Sequence, residues 1–212
     1  KQAAFDYVRK LTTPPEIAFM AGGVGSAGGR PGNPTGTVYV AQETEVGNFH
    51  VVTLKATDTI ALKKWFEENE YQVSPTQDEW FKHYIDKKWF LTAFRVISDK
   101  PAVKTEAIRM SFSTKVPYNP YYVPKENWYR GAQLELFLIA PYAMQGVVGQ
   151  SFWQGSMQGK AVLPHEKYAE FAKNLGMQPG EIPSNMTVYR YLDYDFANGA
   201  TEDLFFYPKK QK

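Results

Sequence analysis

The sequence predicts an α+β protein with a largely antiparallel sheet and about three to four amphipathic helices packed on it. Strand patterns outnumber helix patterns, and they do not alternate strictly with helices as they do in a parallel α/β fold. No segment repeats at a period of roughly 20 to 50 residues, which argues against solenoids and propellers. The chain has 212 residues, of which 43% are hydrophobic and 22% charged, as in an ordinary globular protein.

Helix breakers divide the first part of the chain. Residues 4–11 place apolar side chains on one helical face and two prolines follow, which predicts an N-terminal helix segment over residues 1–20. Glycine and proline dominate residues 21–36, which we interpret as a linker. Residues 37–212 are predicted to form a single α+β domain.

Within that domain, two helix starts carry capping signals. Asp58 precedes an amphipathic pattern, and Ser74 is followed by a proline and by Gln77 at the capping-box position. A third helix is predicted from Pro164 to Gly176. The strand patterns fall at 37–40, 49–54, 89–96, 108–113, 134–140, 188–192 and 204–207. The third strand pattern, 89–96, is apolar on both faces and is expected to be a central strand.

Several classes of function are excluded or disfavoured by composition. The chain has no cysteine, so disulfides, thiolate metal sites and cysteine nucleophiles are excluded. Its three histidines lack metal-ligand spacing, so we expect structural roles for them and no cofactor. A net charge of +2 does not suit a nucleic-acid-coating protein. The longest apolar run, 134–144, is too short to span a bilayer, so no transmembrane segment is predicted.

A glycine pattern near the start has the spacing of a dinucleotide-binding fingerprint. Gly23, Gly25 and Gly28 match G-x-G-x-x-G, but that motif requires a helix to begin at its third glycine. Prolines at positions 31 and 34 prevent such a helix. The glycines are therefore assigned to the linker.

Longer stretches of the chain resemble a bacterial domain-of-unknown-function family, the one numbered twenty-three thirty. The resemblance is carried by residues 5–18, 57–71, 84–90, 109–112, 134–140 and 201–204. These are packing motifs, so the resemblance implies a fold more than a chemistry. It also implies an exported protein, and hence an extracytoplasmic location in the periplasm or at the cell surface.

Two departures from the family pattern bear on the structure. The family has glycine where this chain has Glu70 and Lys88. A left-handed residue other than glycine costs on the order of 1 kcal/mol, so we expect the helix before Glu70 to end differently here. The resemblance further implies an N-terminal part with strands ahead of the helix at Phe5. The sheet edge would then be completed by that segment or by a partner protein.

Aromatic side chains provide the candidate binding residues. A proline-rich aromatic loop and a second aromatic segment, 150–159, can present flat faces to a sugar, a peptide or a protein. The second segment is expected to be an ordered excursion or an interface loop. The candidate residues are Tyr118, Tyr121, Tyr122, Trp128, Tyr129 and Trp153.

Acidic residues provide a weaker candidate. Asp193 and Asp195 lie among aromatic residues and could form a shared site or an oxygen-rich cation site, although no metal is predicted. We therefore expect a non-enzymatic binding or structural subunit that docks on a larger assembly outside the cytoplasm, including one at a membrane. The alternative is a hydrolase, or a saccharide- or peptide-binding module, that uses the aromatic loop and this acidic pair.

Overall fold

The computed structural model describes residues 2–12, 38–46, 49–97, 110, 112–128, 131–175, 177–178, 182–196 and 200–209. They fall into two compact units. The small unit contains the described residues of 38–97 with 124–126, and the large unit contains those of 2–12, 110–123 and 127–209. Four helices and ten antiparallel strands in these ranges confirm the predicted α+β class.

The small unit is a three-stranded antiparallel sheet with two helices on one face. Its strands are β1 (Val38–Val46), β2 (Phe49–Ala56) and β3 (Leu91–Val96), in the order β1-β2-β3. The helices α2 (Thr59–Glu68) and α3 (Asp78–Asp86) are both inserted between β2 and β3. Their shared core is formed by the buried residues Val38, Val52, Leu54, Leu62, Phe66, Tyr71 and Phe81.

Both predicted helix starts of the small unit are confirmed. The Asp58 carboxylate accepts a hydrogen bond of 2.7 Å from the Ala61 amide at the start of α2. Ser74 and Gln77 form the capping box, which opens a short 3₁₀ turn, Pro75–Gln77, that runs directly into α3. Both capping interactions involve residues only two or three positions apart, so they could be predicted from the sequence without knowledge of the tertiary structure.

Both helices of the small unit end on a left-handed residue that is not glycine. Glu70 has φ 62° and Lys88 has φ 57°. The residue after each of them makes the hydrogen bond of a Schellman motif, which closes the helix end. The Tyr71 amide donates to the Phe66 carbonyl, and the Trp89 amide donates to the Tyr84 carbonyl. The expectation that the helix before Glu70 ends differently is therefore wrong. Burial of Tyr71 in the core holds the left-handed ending even without glycine.

Replacing Lys88 with glycine is expected to stabilise the protein. Lys88 is exposed and its backbone is left-handed, so Lys88→Gly removes a Cβ penalty at little cost in contacts. We expect a gain of about 0.5 to 1 kcal/mol in the free energy of unfolding, measured by urea denaturation. The control Lys82→Gly, in the middle of α3, should instead lose about 1 kcal/mol. Equal losses for both variants would contradict this account.

The large unit has three layers. One sheet contains β5 (Leu134–Ala140), β9 (Thr187–Asp193) and β8 (Ser156–Val162), in the order β5-β9-β8. A second sheet contains β4 (Tyr118–Asn119), β10 (Leu204–Pro208), β6 (Met144–Val148) and β7 (Ser151–Phe152), in the order β4-β10-β6-β7. The helices α1 (Gln2–Thr12) and α4 (Tyr168–Leu175), the latter preceded by the 3₁₀ turn His165–Lys167, cover the outer face of the first sheet.

Two apolar cores hold these layers together. Between the helices and the first sheet lie Ala4, Val8, Leu163, Tyr168, Phe171, Ala172, Ile182 and Val188. Between the two sheets lie Tyr121, Ala140, Met144, Trp153, Leu204 and Phe206. The end of α1 lies so close to β8 that a Cβ at Gly159 would collide with the Thr12 carbonyl oxygen. Glycine is therefore required there by the packing of α1.

Five sequence predictions need correction or stay open. Among the described strands, the one predicted at 89–96 pairs only with β2 and therefore lies at an edge of its sheet. Apolar side chains on both of its faces do not distinguish an edge position from a central one. The segment 150–159, predicted as an ordered excursion or an interface loop, contains β7 at 151–152 and the first part of β8 from residue 156, and its role in an interface stays a prediction. The linker at 21–36 and residues 108, 109 and 111 of the strand predicted at 108–113 lie outside the described residues, and the described residues 110, 112 and 113 belong to no strand. The single domain predicted for residues 37–212 stays a prediction beside the two units found.

A partly buried ion cluster joins α1 to the first sheet of the large unit. Glu135 receives Arg9 Nη2 at 2.5 Å on one carboxylate oxygen and Arg190 Nε at 2.8 Å on the other. Burial alone would raise the pKa of Glu135, but hydrogen bonds and charges from Arg9 and Arg190 outweigh it and lower that pKa. The ionised carboxylate is therefore the form that the fold stabilises.

We expect Glu135→Gln to destabilise the protein at neutral pH and to change its response to acid. Because the pKa is lower in the folded than in the unfolded chain, this stabilisation is complete above the unfolded pKa and is lost as the pH falls through the folded pKa. The expected loss at neutral pH is about 1 to 2 kcal/mol, limited by the partial exposure of Arg9.

The check is urea denaturation at a series of pH values. Glu135→Gln should show a weaker acid-induced loss of stability than the unchanged chain. Glu166→Gln, at an exposed position, serves as the control and should follow the unchanged chain. An identical acid response for both variants would contradict a role for Glu135.

Candidate functional site

Asp193 is a buried carboxylate that holds two aromatic side chains of the large unit. It lies at the end of β9 and is only 6% exposed. Its Oδ2 accepts hydrogen bonds from the Tyr121 hydroxyl at 2.5 Å and from the Trp153 indole nitrogen at 2.7 Å. Its Oδ1 accepts the Asp195 amide at 3.0 Å. Two candidate segments that are distant in sequence are thus joined at one carboxylate.

A second buried acid holds the backbone of the same loop. Asp203 is fully buried directly before β10. Its Oδ1 accepts the Tyr121 amide at 3.1 Å and the Tyr122 amide at 3.5 Å. The loop is therefore anchored by its main chain as well as by a side chain, which gives it one defined position on the second sheet.

Packing completes the anchoring of this loop. Burial and the hydrogen bond to Asp193 raise the pKa of Tyr121, so its phenol stays protonated and donates at neutral pH. The Trp153 indole packs against Tyr191 and Phe206, with ring centroids 5.3 and 6.0 Å away. A Cβ at Gly155 would collide with that indole, so glycine is required beside it.

The opposite face of the second sheet carries a row of apolar side chains, which we call the aromatic row. Strand register places Tyr118 of β4 opposite Phe205 of β10, Phe205 opposite Val147 of β6, and Val147 opposite Phe152 of β7. Cross-strand partners point to the same face, and here it is the outer one because Leu204 and Phe206 point to the core. Phe112 extends the row, with its ring 5.4 Å from that of Tyr118.

The aromatic row is uncharged and accessible at its ends. Four strands at about 4.8 Å spacing give it a length of roughly 14 Å before the Phe112 ring is added. Phe112 is 58% exposed and Phe152 is 68% exposed, while the residues between them are partly buried. Tyr207 and Gln145, paired on the next position of the same face, provide polar groups beside it. An exposed apolar strip with a polar margin is typical of a binding surface.

The predicted binding residues divide between the anchor and this surface. Tyr121, Tyr122 and Trp153 are buried, whereas Tyr118 belongs to the aromatic row. Trp128 is 37% exposed and donates its indole proton to the Val123 carbonyl at 2.8 Å. Tyr129 lies outside the described residues. Their direct roles in binding stay predictions, as does that of the exposed Asp195.

Sequence reasoning missed most of the aromatic row. Phe112, Val147 and Phe205 were not among the candidates, and Phe152 was covered only as part of the segment 150–159. The available signal was the last strand, where Leu204 and Phe206 alternate with Phe205 and Tyr207, so that both faces are apolar. Apolar side chains on both faces of a strand indicate either a central position or an exposed apolar surface.

The small unit contains a polar cluster that the sequence did not indicate. His50 Nδ1 lies 2.9 Å from the Tyr71 hydroxyl and His50 Nε2 lies 2.7 Å from a Glu43 oxygen. Burial raises the pKa of Tyr71, against the opposing charge of Arg95. The cluster ties the sheet to the residue that closes α2. An open cavity of about 390 Å³ lies next to it and is lined in part by Tyr71, Lys63 and Glu67.

The described residues contain neither a metal-binding cluster nor a helix that could span a membrane. Within these ranges, no group of three or more histidine or acidic side chains could hold a metal ion. None of the helices in the same ranges has the length and apolar character needed to cross a bilayer.

A family model of uncharacterized proteins conserved in bacteria, DUF2330, matches residues 1–141. The chain belongs to the DUF2330 family. This membership confirms the resemblance carried by the packing motifs. No curated protein and no solved structure matches the chain.

The DUF2330 match ends directly after β5, inside the large unit. The helix α1 lies within the match together with β5, which it contacts through Phe5 and Arg9, yet its other packing partners β8, β9 and α4 lie beyond it. The aromatic row is divided in the same way, with Tyr118 inside the match and Val147, Phe152 and Phe205 outside. In this DUF2330 chain, the residues after 141 therefore complete both the fold and the surface.

Proposed function

We propose that this DUF2330 chain is a non-enzymatic binding or structural subunit that docks a partner protein of a larger assembly, outside the cytoplasm, through the aromatic row. The observation that carries the proposal is the continuous outer-face register Tyr118–Phe205–Val147–Phe152. Folding of the second sheet does not require apolar side chains on its outer face, because its inner face already forms the core. An exposed apolar row of this kind is therefore better explained by binding.

The chemistry of the row favours a protein partner over a saccharide. Its members carry no charge, and their only hydroxyl belongs to Tyr118, whose pKa is raised by burial and by the nearby charge of Asp203, so it is neutral. The cores of protein interfaces are depleted in charge and enriched in aromatic side chains. Recognition of a sugar requires more hydrogen-bonding groups around each ring than this row provides.

The buried anchor supports this proposal by fixing the shape of the surface. Asp193 and Asp203 hold the loop that leads from Tyr118 across the edge of the sheet. A surface that is rigid before binding loses less conformational entropy when a partner docks. The extracytoplasmic location, with a membrane-associated assembly as one setting, is supported by the exported character that the family resemblance implies.

The alternative is a saccharide- or peptide-binding module, or a hydrolase. It would use the aromatic loop, which includes Trp128, and the Asp193/Asp195 pair. Both carboxylate oxygens of Asp193 are engaged in hydrogen bonds within the fold. A carboxylate in that position supports structure more directly than it supports acid–base chemistry.

The test is site-specific photocrosslinking of the chain in the bacterium that produces it. A benzophenone amino acid replaces Phe112 or Phe152 in the row, and Val162 of β8, 66% exposed, is the matched control. We expect one protein adduct from both row positions and none from Val162. Phe152→Ala should then weaken binding of that protein about ten-fold or more. Adducts with glycan would support the alternative, and row positions without an adduct would contradict the proposal.

A further inference from the structure

The two edges of the β5-β9-β8 sheet differ in their protection. The edge strand β8 has a register shift between Met157 and Gly159 and carries Lys160, and α1 packs against it. Bulges, lysines and covering elements are the devices by which natural sheets prevent strand pairing at an edge. β8 is therefore a protected edge.

The opposite edge strand, β5, has none of these devices. Its seven residues pair with β9 without any register shift, and they include no glycine, proline or lysine. Its one charged residue, Glu135, is occupied by Arg9 and Arg190. Every residue from 134 to 139 is partly exposed. Among the described strands, none lies on the outer side of β5, where alternate residues direct their backbone amides and carbonyls.

The sequence of β5 is complementary to itself. Antiparallel pairing centred on Phe137 would place Phe137 opposite its own copy, Leu136 opposite Leu138, and Glu135 opposite Ile139. No like charges meet in this register, and apolar side chains are paired at nearly every position. Phe5 of α1, 42% exposed, lies 6.4 Å from the Phe137 ring and would join an aromatic cluster at the two-fold axis.

We propose that β5 pairs antiparallel with β5 of a second copy of this chain. The pairing joins two three-stranded sheets into one six-stranded sheet across a two-fold axis, the symmetry expected of a self-complementary edge. This interface uses a different sheet from the aromatic row, so it leaves that surface available and does not depend on the proposed function.

The lack of cysteine makes this register directly testable. In oxidised samples of single-cysteine variants, Phe137→Cys should form a disulfide-linked dimer, because the two cysteines would face each other. Leu136→Cys and Leu138→Cys should crosslink when co-expressed and not when produced alone. Met157→Cys, 54% exposed on β8, is the matched control and should stay monomeric. The Leu136/Leu138 pair keeps the test valid if Phe137→Cys folds poorly.

The unchanged chain provides the second measurement. Sedimentation should give twice the 24.1 kDa mass of one chain. A monomer at all concentrations would overturn the proposal. If the β5 amides of that monomer exchange slowly with deuterium, the edge is covered within the chain. If they exchange fast, the edge is open to solvent and no strand pairs with it. Crosslinking of Met157→Cys to the same extent as Phe137→Cys would also overturn the proposal.

Discussion

A chain cut after Pro141, where the DUF2330 match ends, is expected to lose the folded large unit. The cut removes β6 to β10 and α4, so α1 loses Leu163, Phe171 and Val188 from its core and β5 loses its pairing with β9. A lone helix and a lone strand of these lengths are not stable in water. The small unit lies wholly within the fragment and keeps its own core.

Amide NMR spectra would show this outcome. The fragment should retain dispersed signals from residues 38–97 and lose those of α1 and β5. A control chain cut after Lys209, beyond the end of β10, should keep the signals of both units. Protected amides in α1 or β5 of the shorter fragment would show that residues 1–141 fold as a whole, against this prediction.

Asp193→Ala is expected to be the most destabilising single change at the candidate site. It leaves the Tyr121 hydroxyl and the Trp153 indole N–H buried without their acceptor. Each unsatisfied buried donor costs about 1 to 3 kcal/mol, so we expect a loss of about 4 kcal/mol in the free energy of unfolding. Urea denaturation followed by tryptophan fluorescence and circular dichroism measures it.

A graded series distinguishes this mechanism from simple loss of packing. Asp193→Asn keeps one side-chain oxygen that can accept both aromatic donors, but its side-chain NH2 group would face the Asp195 backbone N–H, so that two donors meet. The expected loss in the free energy of unfolding is therefore only about 1 kcal/mol. Asp195→Ala removes an exposed carboxylate and should stay within about 0.5 kcal/mol of the unchanged chain. If Asn and Ala at position 193 cost the same, the hydrogen bonds are not the cause.

The sequence predicts most of the elements of this fold because their signals are local. The Asp58 cap, the capping box at Ser74 and the amphipathic pattern of α1 each lie within a few residues, and all three are found. The strands at 134–140 and 204–207 follow from short apolar runs. Fold class follows from the number and order of such elements.

The arrangement of the strands was less accessible, because it depends on contacts between distant residues. The β8 strand was missed since Gly155, Gly159 and the bulge between them interrupt the alternation that marks a strand. The candidate site shows the same limit. Tyr118 and Phe205 are 87 positions apart, and only strand order and register make them neighbours. The single carboxylate that holds Tyr121 and Trp153 likewise has no local signature.

The β5-β9-β8 sheet lies between the two apolar cores of the large unit and contributes side chains to both of them. This arrangement determines how the large unit unfolds on heating. On β5, Leu136 faces the core between the sheets and its neighbour Phe137 faces the core under the helices. Loss of either core would expose one whole face of this sheet to water. The two cores are thus energetically coupled and should melt in one cooperative transition. A destabilising substitution near Asp193 would then also destabilise α1, which packs on the opposite face of the sheet and does not contact Asp193.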